Sequence, residues 1–188
     1  MFLKSQNPYV LIVGMTGVKM GDRFVQIGCV HRGRLAAVAG KVGLSGRAVV
    51  VAPDESSAAR ARKGAEEAGV LVEVEVAPPT RLPLENDAFD LALVDDTAGL
   101  LGMLSPEGRV AAIRELVRVL RPAGRVMIVG AAPRGGFGAL LTRAQSGPPF
   151  VSSGDANIAL EADGFRSVRT LAEREGLVFV EGIKPRHG

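Results

Sequence analysis

Residues 82–101 read LPLENDAFDLALVDDTAGLL, and residues 113–130 read IRELVRVLRPAGRVMIVG. The first stretch holds a mostly apolar run, Phe89 to Val94 (FDLALV), broken only by Asp90. The second holds a helical stripe of Ile113, Leu116, Val117 and Leu120, followed by a further run from Arg125 to Val129. An apolar run without polar alternation is the pattern of a strand buried on both faces, and a stripe at helical spacing is that of a helix lying on such a sheet. Arg114, Glu115 and Arg118 are expected to face outward, and Pro122 and Gly124 to stop the helix. Strand, helix, strand in this order makes a right-handed parallel crossover.

The same alternation extends outward from this centre. Arg23 to Gly28 (RFVQIG) reads as a strand, Gly33 to Val42 as a helix, and Arg47 to Ala52 (RAVVVA), between Gly46 and Pro53, as a buried strand. Asp54 caps a helix carrying Ala58, Ala61, Ala65 and Ala68, Gly69 ends it, and Val70 to Val76 is a third strand. Asp155 to Ala162 reads as a short helix. Phe165 to Ala172 and Leu177 to Lys184 are strands joined by Glu173 to Gly176, so one of the last strands runs antiparallel to the rest. The result is a mostly parallel sheet covered on both sides. One domain over residues 1–188 is expected, with residues 1–20 as an N-terminal helical extension. The Gly/Pro/Ser-rich segment 133–154 reads as a mobile loop or a substrate lid with Phe137, Leu140, Leu141 and Phe150 as apolar contacts.

Composition removes several classes of function. One Cys and two His among 188 residues exclude a disulfide framework and a zinc site of several Cys and His, and no metal site is expected. A Ser-His-Asp or Cys-His enzyme would have to use His31 or the penultimate His187. The net charge is +3, but the 23 Lys and Arg are dispersed, and seven Phe with one Tyr offer few stacking platforms, which argues against nucleic acid. Tyr9 to Val18 is too short to span a bilayer and no small-residue cleavage site follows it, so the expectation is a cytoplasmic protein without a membrane partner.

In an open parallel sheet, ligands bind beyond the carboxyl ends of the strands, where strand order reverses. The first strand ends in QIGCVHRGR, positions 26–34. Glycines there let backbone approach a ligand, and the following helix start offers free amides. Gly28 and Gly33 do not complete G-x-G-x-x-G, so a ligand loop and a ligand-free strand-to-helix turn both remain open.

The order of pieces from about Gly21 to Pro185 resembles the class I S-adenosylmethionine-dependent methyltransferases. Leu82, Pro83, Phe89, Asp90, Leu120, Arg121, Pro122, Gly124, Gly164 and Phe165 match that family's turn and packing landmarks, the last two opening GFRSVRTLAEREGLVFVEGIKP at 164–185. The resemblance implies an α/β, Rossmann-like, mostly parallel seven-stranded sheet with helices on both faces and a C-terminal antiparallel β-hairpin. It implies S-adenosylmethionine as cofactor, bordered by Gln26, Gly28, Cys29, Val30, His31, Arg32, Gly33, Asp54 and Asp95. Asp95 and Asp96 are the catalytic candidates, set to orient or deprotonate an acceptor, and a small molecule is the substrate class. The positions that are usually acidic in that family, at the ends of the first two strands and four residues before the Leu-Pro pair, hold Gln26, Ala52 and Pro78, and Asp54 lies two places beyond Ala52. Each lost charge-assisted hydrogen bond costs about 1.5–3 kcal/mol. Three readings follow: a small-molecule methyltransferase with an atypical cofactor site, a catalytically inactive binding or regulatory relative, and a nucleotide binder using another cofactor such as NAD. A homodimer is compatible with all three.

Overall fold

A computed structural model describes residues 8–133 and 149–186. In it the apolar runs become β1 (Arg23–Ile27), β2 (Arg47–Ala52), β3 (Glu73–Val76), β4 (Phe89–Asp96), β5 (Leu120–Ala131), β6 (Arg166–Arg174) and β7 (Leu177–Ile183). Between and before them lie α1 (Val10–Thr16), α2 (Arg32–Val42), α3 (Glu55–Ala68), α4 (Pro106–Val119) and α5 (Asp155–Ala162). The strands form one seven-stranded sheet in the order β3-β2-β1-β4-β5-β7-β6. The pairs among β1 to β5 are parallel, whereas β7 runs antiparallel to both β5 and β6. This is the architecture that the sequence implied, including the terminal hairpin.

Alternation along each strand sorts the core into two layers, as period-two side-chain geometry requires. Val25, Val51, Ala92, Val94 and Ile128 share a cluster with Ile113 and Leu116 of α4 and Leu160 of α5. Phe24, Val50, Leu91, Leu93 and Met127 share the other with Leu35 and Val38 of α2, Ala61 of α3 and Ile12 of α1. The helix ends are set by local chemistry. Asp54 accepts a 2.7 Å bond from the Ser57 amide at the start of α3, and Gly69 closes that helix at φ 64°. Ser105 caps α4 through the Gly108 amide, with Pro106 in the first turn.

The structure corrects several local readings. Glu115 and Arg118 do not point outward. Arg118 donates to the carbonyls of Leu82 (2.9 Å) and Leu84 (2.7 Å) and to Asn86, while Glu115 accepts from the Leu82 amide at 2.6 Å and pairs with Arg118. The long connection after β3 has backbone polar groups to satisfy, and α4 supplies their partners. The helix ends at Val119 and the chain enters β5 at once, with a register shift opposite Phe89/Leu91 and Ala123 at φ 64°. Pro122 and Gly124 therefore lie in the strand's irregular start. β3 is shorter than expected and begins at Glu73, and the hairpin turn is only Glu175 and Gly176, both at positive φ, as a two-residue turn demands. Phe150, expected as an apolar contact of a lid, is instead buried in the core beneath the Arg109 guanidinium, and the adjoining Val151 packs on Gly130. Phe137, Leu140, Leu141 and His187 lie outside the described residues.

The N-terminal expectation takes shape as α1, which is fastened to the sheet by Arg125. That guanidinium donates to the Thr16 carbonyl and pairs at 3.3 Å with Glu181 of β7, whose buried carboxylate also receives Arg169 at 3.0 Å. No helix among the described residues is long and apolar enough to cross a membrane. Ile113, fully buried under the sheet, tests the packing: Ile113→Ala is expected to lower the unfolding free energy by about 2–5 kcal/mol, whereas the partly exposed Val110→Ala costs under about 0.5 kcal/mol. Urea titration followed by circular dichroism reads both, and equal shifts would contradict the layer assignment.

Candidate functional site

Strand order reverses between β1 and β4, and the chain leaving β1 there must turn sharply into α2. Gly28 makes that turn at φ 79°, its amide bonded to the Val51 carbonyl at 2.9 Å. A Cβ at this position would stand 3.0 Å from the Leu100 Cδ2 and 3.3 Å from the Asp95 carbonyl oxygen, so both backbone conformation and space select glycine. One residue past β1, the chain is thus pressed against the end of β4.

Asp95 makes the link directly. One carboxylate oxygen accepts the Val30 amide at 2.8 Å, and the other accepts the Thr97 hydroxyl at 2.6 Å. The sequence placed Asp95 and Asp96 just beyond the fourth strand; both are its last residues, pairing with Val129 and Gly130 of β5. Their side chains therefore leave opposite faces. Asp96 is buried and accepts the Leu101 amide at 2.6 Å, holding the turn that brings Leu100 over Gly28. Burial raises its pKa from 3.8 to about 6, despite bonds from the Leu101 and Gly102 amides that favour the charged form.

The other expected site residues fall into three groups. Gln26 is 2% exposed, and its Nε2 donates to the Gly28 carbonyl at 2.8 Å, which fixes its Oε1 as the free end; that oxygen has no hydrogen-bond partner. Cys29 is buried, and its thiol is pushed up to about 11, first by desolvation and then by the Asp95 charge. It is a protonated packing group rather than a nucleophile at neutral pH. Its carbonyl accepts Arg60 of α3 at 2.5 Å. Val30 shows its side chain to solvent at 40% exposure.

His31 and Gly33 belong to the start of α2. The His31 Nδ1 accepts the Arg34 amide at 3.4 Å as an N-cap, and its ring meets that of Tyr9 edge-on at 5.6 Å. A Cβ on Gly33 would stand 2.1 Å from the Tyr9 hydroxyl oxygen, so this glycine is the seat on which the chain entering α1 rests. Arg32 pairs with Glu67 of α3 at 2.9 Å. Asp54 is engaged in capping, Ala52 is fully buried, and Pro78 lines a groove of about 790 Å³ with Arg81, Leu82, Glu115 and Arg118. A second groove, of about 870 Å³, runs between α2 and α3 beside Val30, His31 and Arg60. No group of three or more His, Cys, Asp or Glu arranged to hold a metal ion is found among the described residues.

Sequence reasoning missed Tyr9, Arg34, Arg60 and Leu100. Arg34 carried the one available signal, since it directly follows the last glycine of QIGCVHRGR; its Nη1 is buried without a hydrogen-bond partner. Arg60 and Leu100 reach the loop from other elements, and no local spacing announces them.

Comparison with known proteins gives a consistent picture. The profile of a family described as a methyltransferase domain matches residues 25–128. Methyltransferase GfsG of Streptomyces halstedii is 27% identical over 164 residues, covering 87% of this chain and 55% of that protein. An uncharacterised protein of Mycobacterium tuberculosis is 26% identical over 143 residues, covering 76% and 49%. The chain therefore spans about half the length of the curated relatives it matches. Among solved structures, a SAM-dependent methyltransferase from Aquifex aeolicus superposes with a TM-score of 0.74 at 20% identity, covering 94% of this chain and 89% of that one. The cyclase SpnF superposes with a TM-score of 0.69 at 18% identity, covering 94% and 79%. At these identities the structural likeness is one of fold.

The buried Asp96 yields a pH dependence. Because its pKa is raised on folding, the native chain holds a proton between about pH 4 and 6 that the unfolded chain releases, so this contribution to stability falls as pH rises through that window. Asp96→Asn keeps an acceptor for the Leu101 amide and removes the titration. Wild type is expected to lose about 2–3 kcal/mol relative to Asp96→Asn between pH 4 and 7. Parallel stability curves for the two proteins across that range would contradict it.

Proposed function

The chain belongs to the methyltransferase domain family, and from that premise we propose that it is an S-adenosylmethionine-dependent methyltransferase acting on a small molecule through an atypical cofactor site. S-adenosylmethionine is the cofactor that membership of this superfamily implies. The observation that carries the reading is the loop after β1: the positive-φ Gly28 sits at the reversal of strand order, and a buried polar atom of the residue bonded to it, Gln26 Oε1, lacks a partner. An orphaned buried polar atom costs about 1–3 kcal/mol, which a ligand group of the right kind recovers.

The residues present fit one half of that cofactor. Gln26 Oε1 offers an unpaired acceptor for the ammonium of its amino-acid end, and Gly28 lets the backbone approach. The nucleoside half lacks its usual acceptors, since Ala52 presents a buried methyl group, Pro78 has no polar side chain, and an Asp54 oxygen is held by Ser57. When bound, the cofactor supplies an electrophilic methyl group. Methyl transfer asks the protein mainly to hold two reactants in line, which suits a chain with two histidines. Asp95 is the acceptor-orienting carboxylate of this proposal: Oδ1 takes both the hydroxyl and the amide of Thr97, while Oδ2 keeps a second lone pair after its bond to the Val30 amide. Asp96 stabilises the turn that carries Leu100. Dispersed basic charge and the shortage of aromatics favour a small molecule over nucleic acid as substrate.

A second reading, a binding protein without catalysis, is favoured by Ala52 and Pro78 and by the Leu100 side chain lying on Gly28. The cyclase SpnF illustrates that this scaffold carries other activities. Isothermal titration calorimetry with S-adenosylmethionine and S-adenosylhomocysteine separates these possibilities. Dissociation constants in the high-micromolar to millimolar range are expected, because two missing charge-assisted bonds weaken binding by about 10²–10⁴-fold. Absence of binding by either compound at several millimolar would remove the methyltransferase reading.

A further inference from the structure

Resting on that reading, we infer that Leu100 sets ligand affinity at this cleft: its side chain occupies the place over Gly28 and moves aside before a ligand reaches the β1 turn. Gly28 has little left to offer while Leu100 is in place. Its amide is bonded to the Val51 carbonyl at 2.9 Å, and its carbonyl to Gln26 Nε2 at 2.8 Å. The side on which a side chain would grow is covered, with Leu100 Cδ2 3.0 Å and the Asp95 carbonyl oxygen 3.3 Å from the position a Cβ would take. Of those two neighbours, Leu100 is the movable one. The Asp95 main chain pairs with Val129 inside the sheet, whereas Leu100 lies in a turn beyond the end of β4.

Asp96 is the catch that presents this side chain. The amides on either side of Leu100 both end on it: Gly99 donates to its carbonyl at 2.8 Å, and Leu101 to its carboxylate at 2.6 Å. Gly99 stands at φ 79°, so the chain turns sharply just before Leu100. Leu101 is 1% exposed and anchored in the core, whereas Leu100 is only partly buried against the same apolar cluster. Re-exposing a partly covered leucine costs less than uncovering a core one, and a change of its own rotamer achieves it with the strands unmoved. A chain that holds this side chain in place most of the time binds with an apparent affinity lowered by the fraction of open molecules. That loss is separate from the one caused by Ala52 and Pro78, because it arises before any contact with the ligand.

Shortening Leu100 therefore raises affinity, whereas loss of an ordinary packing or ligand-contacting residue lowers it or leaves it alone. Calorimetry with S-adenosylhomocysteine on the full chain is expected to show Leu100→Ala binding about tenfold more tightly than wild type, and Leu100→Met, which keeps the volume, within about threefold of it. Ile113→Ala loosens the same apolar cluster from α4 and is expected to bring no gain. In wild type, the nuclear Overhauser contact between the Leu100 methyls and the Gly28 α-protons is expected to disappear when S-adenosylhomocysteine binds, and this measurement needs no variant to fold. Binding by folded Leu100→Ala no tighter than wild type, an equal gain in Ile113→Ala, or a contact that persists in the bound state overturns this inference and leaves the cofactor reading intact. Binding by Leu100→Ala with wild type silent upholds the inference and shows the native chain closed to the ligand. Failure of both proteins to bind overturns the cofactor reading and this inference with it.

Discussion

A single hydrogen bond, 2.8 Å from the Val30 amide to the Asp95 carboxylate, spans the point at which strand order reverses. The ends of two parallel strands diverge there, and beyond the bond from the Gly28 amide to the Val51 carbonyl the turn out of β1 leaves the ladder. The Asp95 charge strengthens the bond, and burial keeps water from competing for it. Other features of the site fit around this contact: glycine at position 28, Leu100 lying on it, Thr97 turned back onto the same carboxylate, and Arg60 drawn to the Cys29 carbonyl.

The site is held from two further sides. α1 is fixed at one end by Arg125 on the Thr16 carbonyl, while Tyr9, just before its other end, rests on Gly33. The Arg125 guanidinium is anchored by Glu181, a buried carboxylate that also has Arg169 as a counter-charge. Burying such a charge is tolerable only because it is paired, and the pairing fixes where α1 lies. On the opposite face, Arg118 and Glu115 gather the connection after β3. A seven-residue helix and a long irregular connection, both weak on their own, thereby become defined walls.

Much of the fold was legible in the sequence because it is written in continuous apolar runs. RAVVVA at 47–52 is β2 to the residue, and DANIALEA at 155–162 is α5 to the residue. What periodicity could not show was the role of charged residues on a helix surface: Glu115 and Arg118 occupy polar positions of the α4 stripe, and only the tertiary path of residues 82–86 turns them inward. Gly28 was legible as a turn because the conformation needed there excludes other residues. Gly33 had the same appearance in sequence, yet its reason is the space occupied by Tyr9, some two dozen residues earlier in the chain. Asp95 and Asp96 were found together, but a strand extending to Asp96 sends them to opposite faces, a distinction that hangs on a boundary sequence rules place poorly.

β3 and β6 are the outer strands of the sheet, and each leaves one side of its backbone unpaired. Their side chains differ in sign: Glu73 and Glu75 mark one border, and Arg166, Arg169 and Arg174 dominate the other. Two copies meeting by like borders repel, and only unlike borders attract. Such head-to-tail contact does not close into a two-fold dimer; repeated, it generates a ring or a filament according to the rotation between copies. The length of β3, four residues, and the interrupted register around Ser167, at φ 52°, keep any shared ladder short. The same outer strands that complete the sheet thus limit its growth.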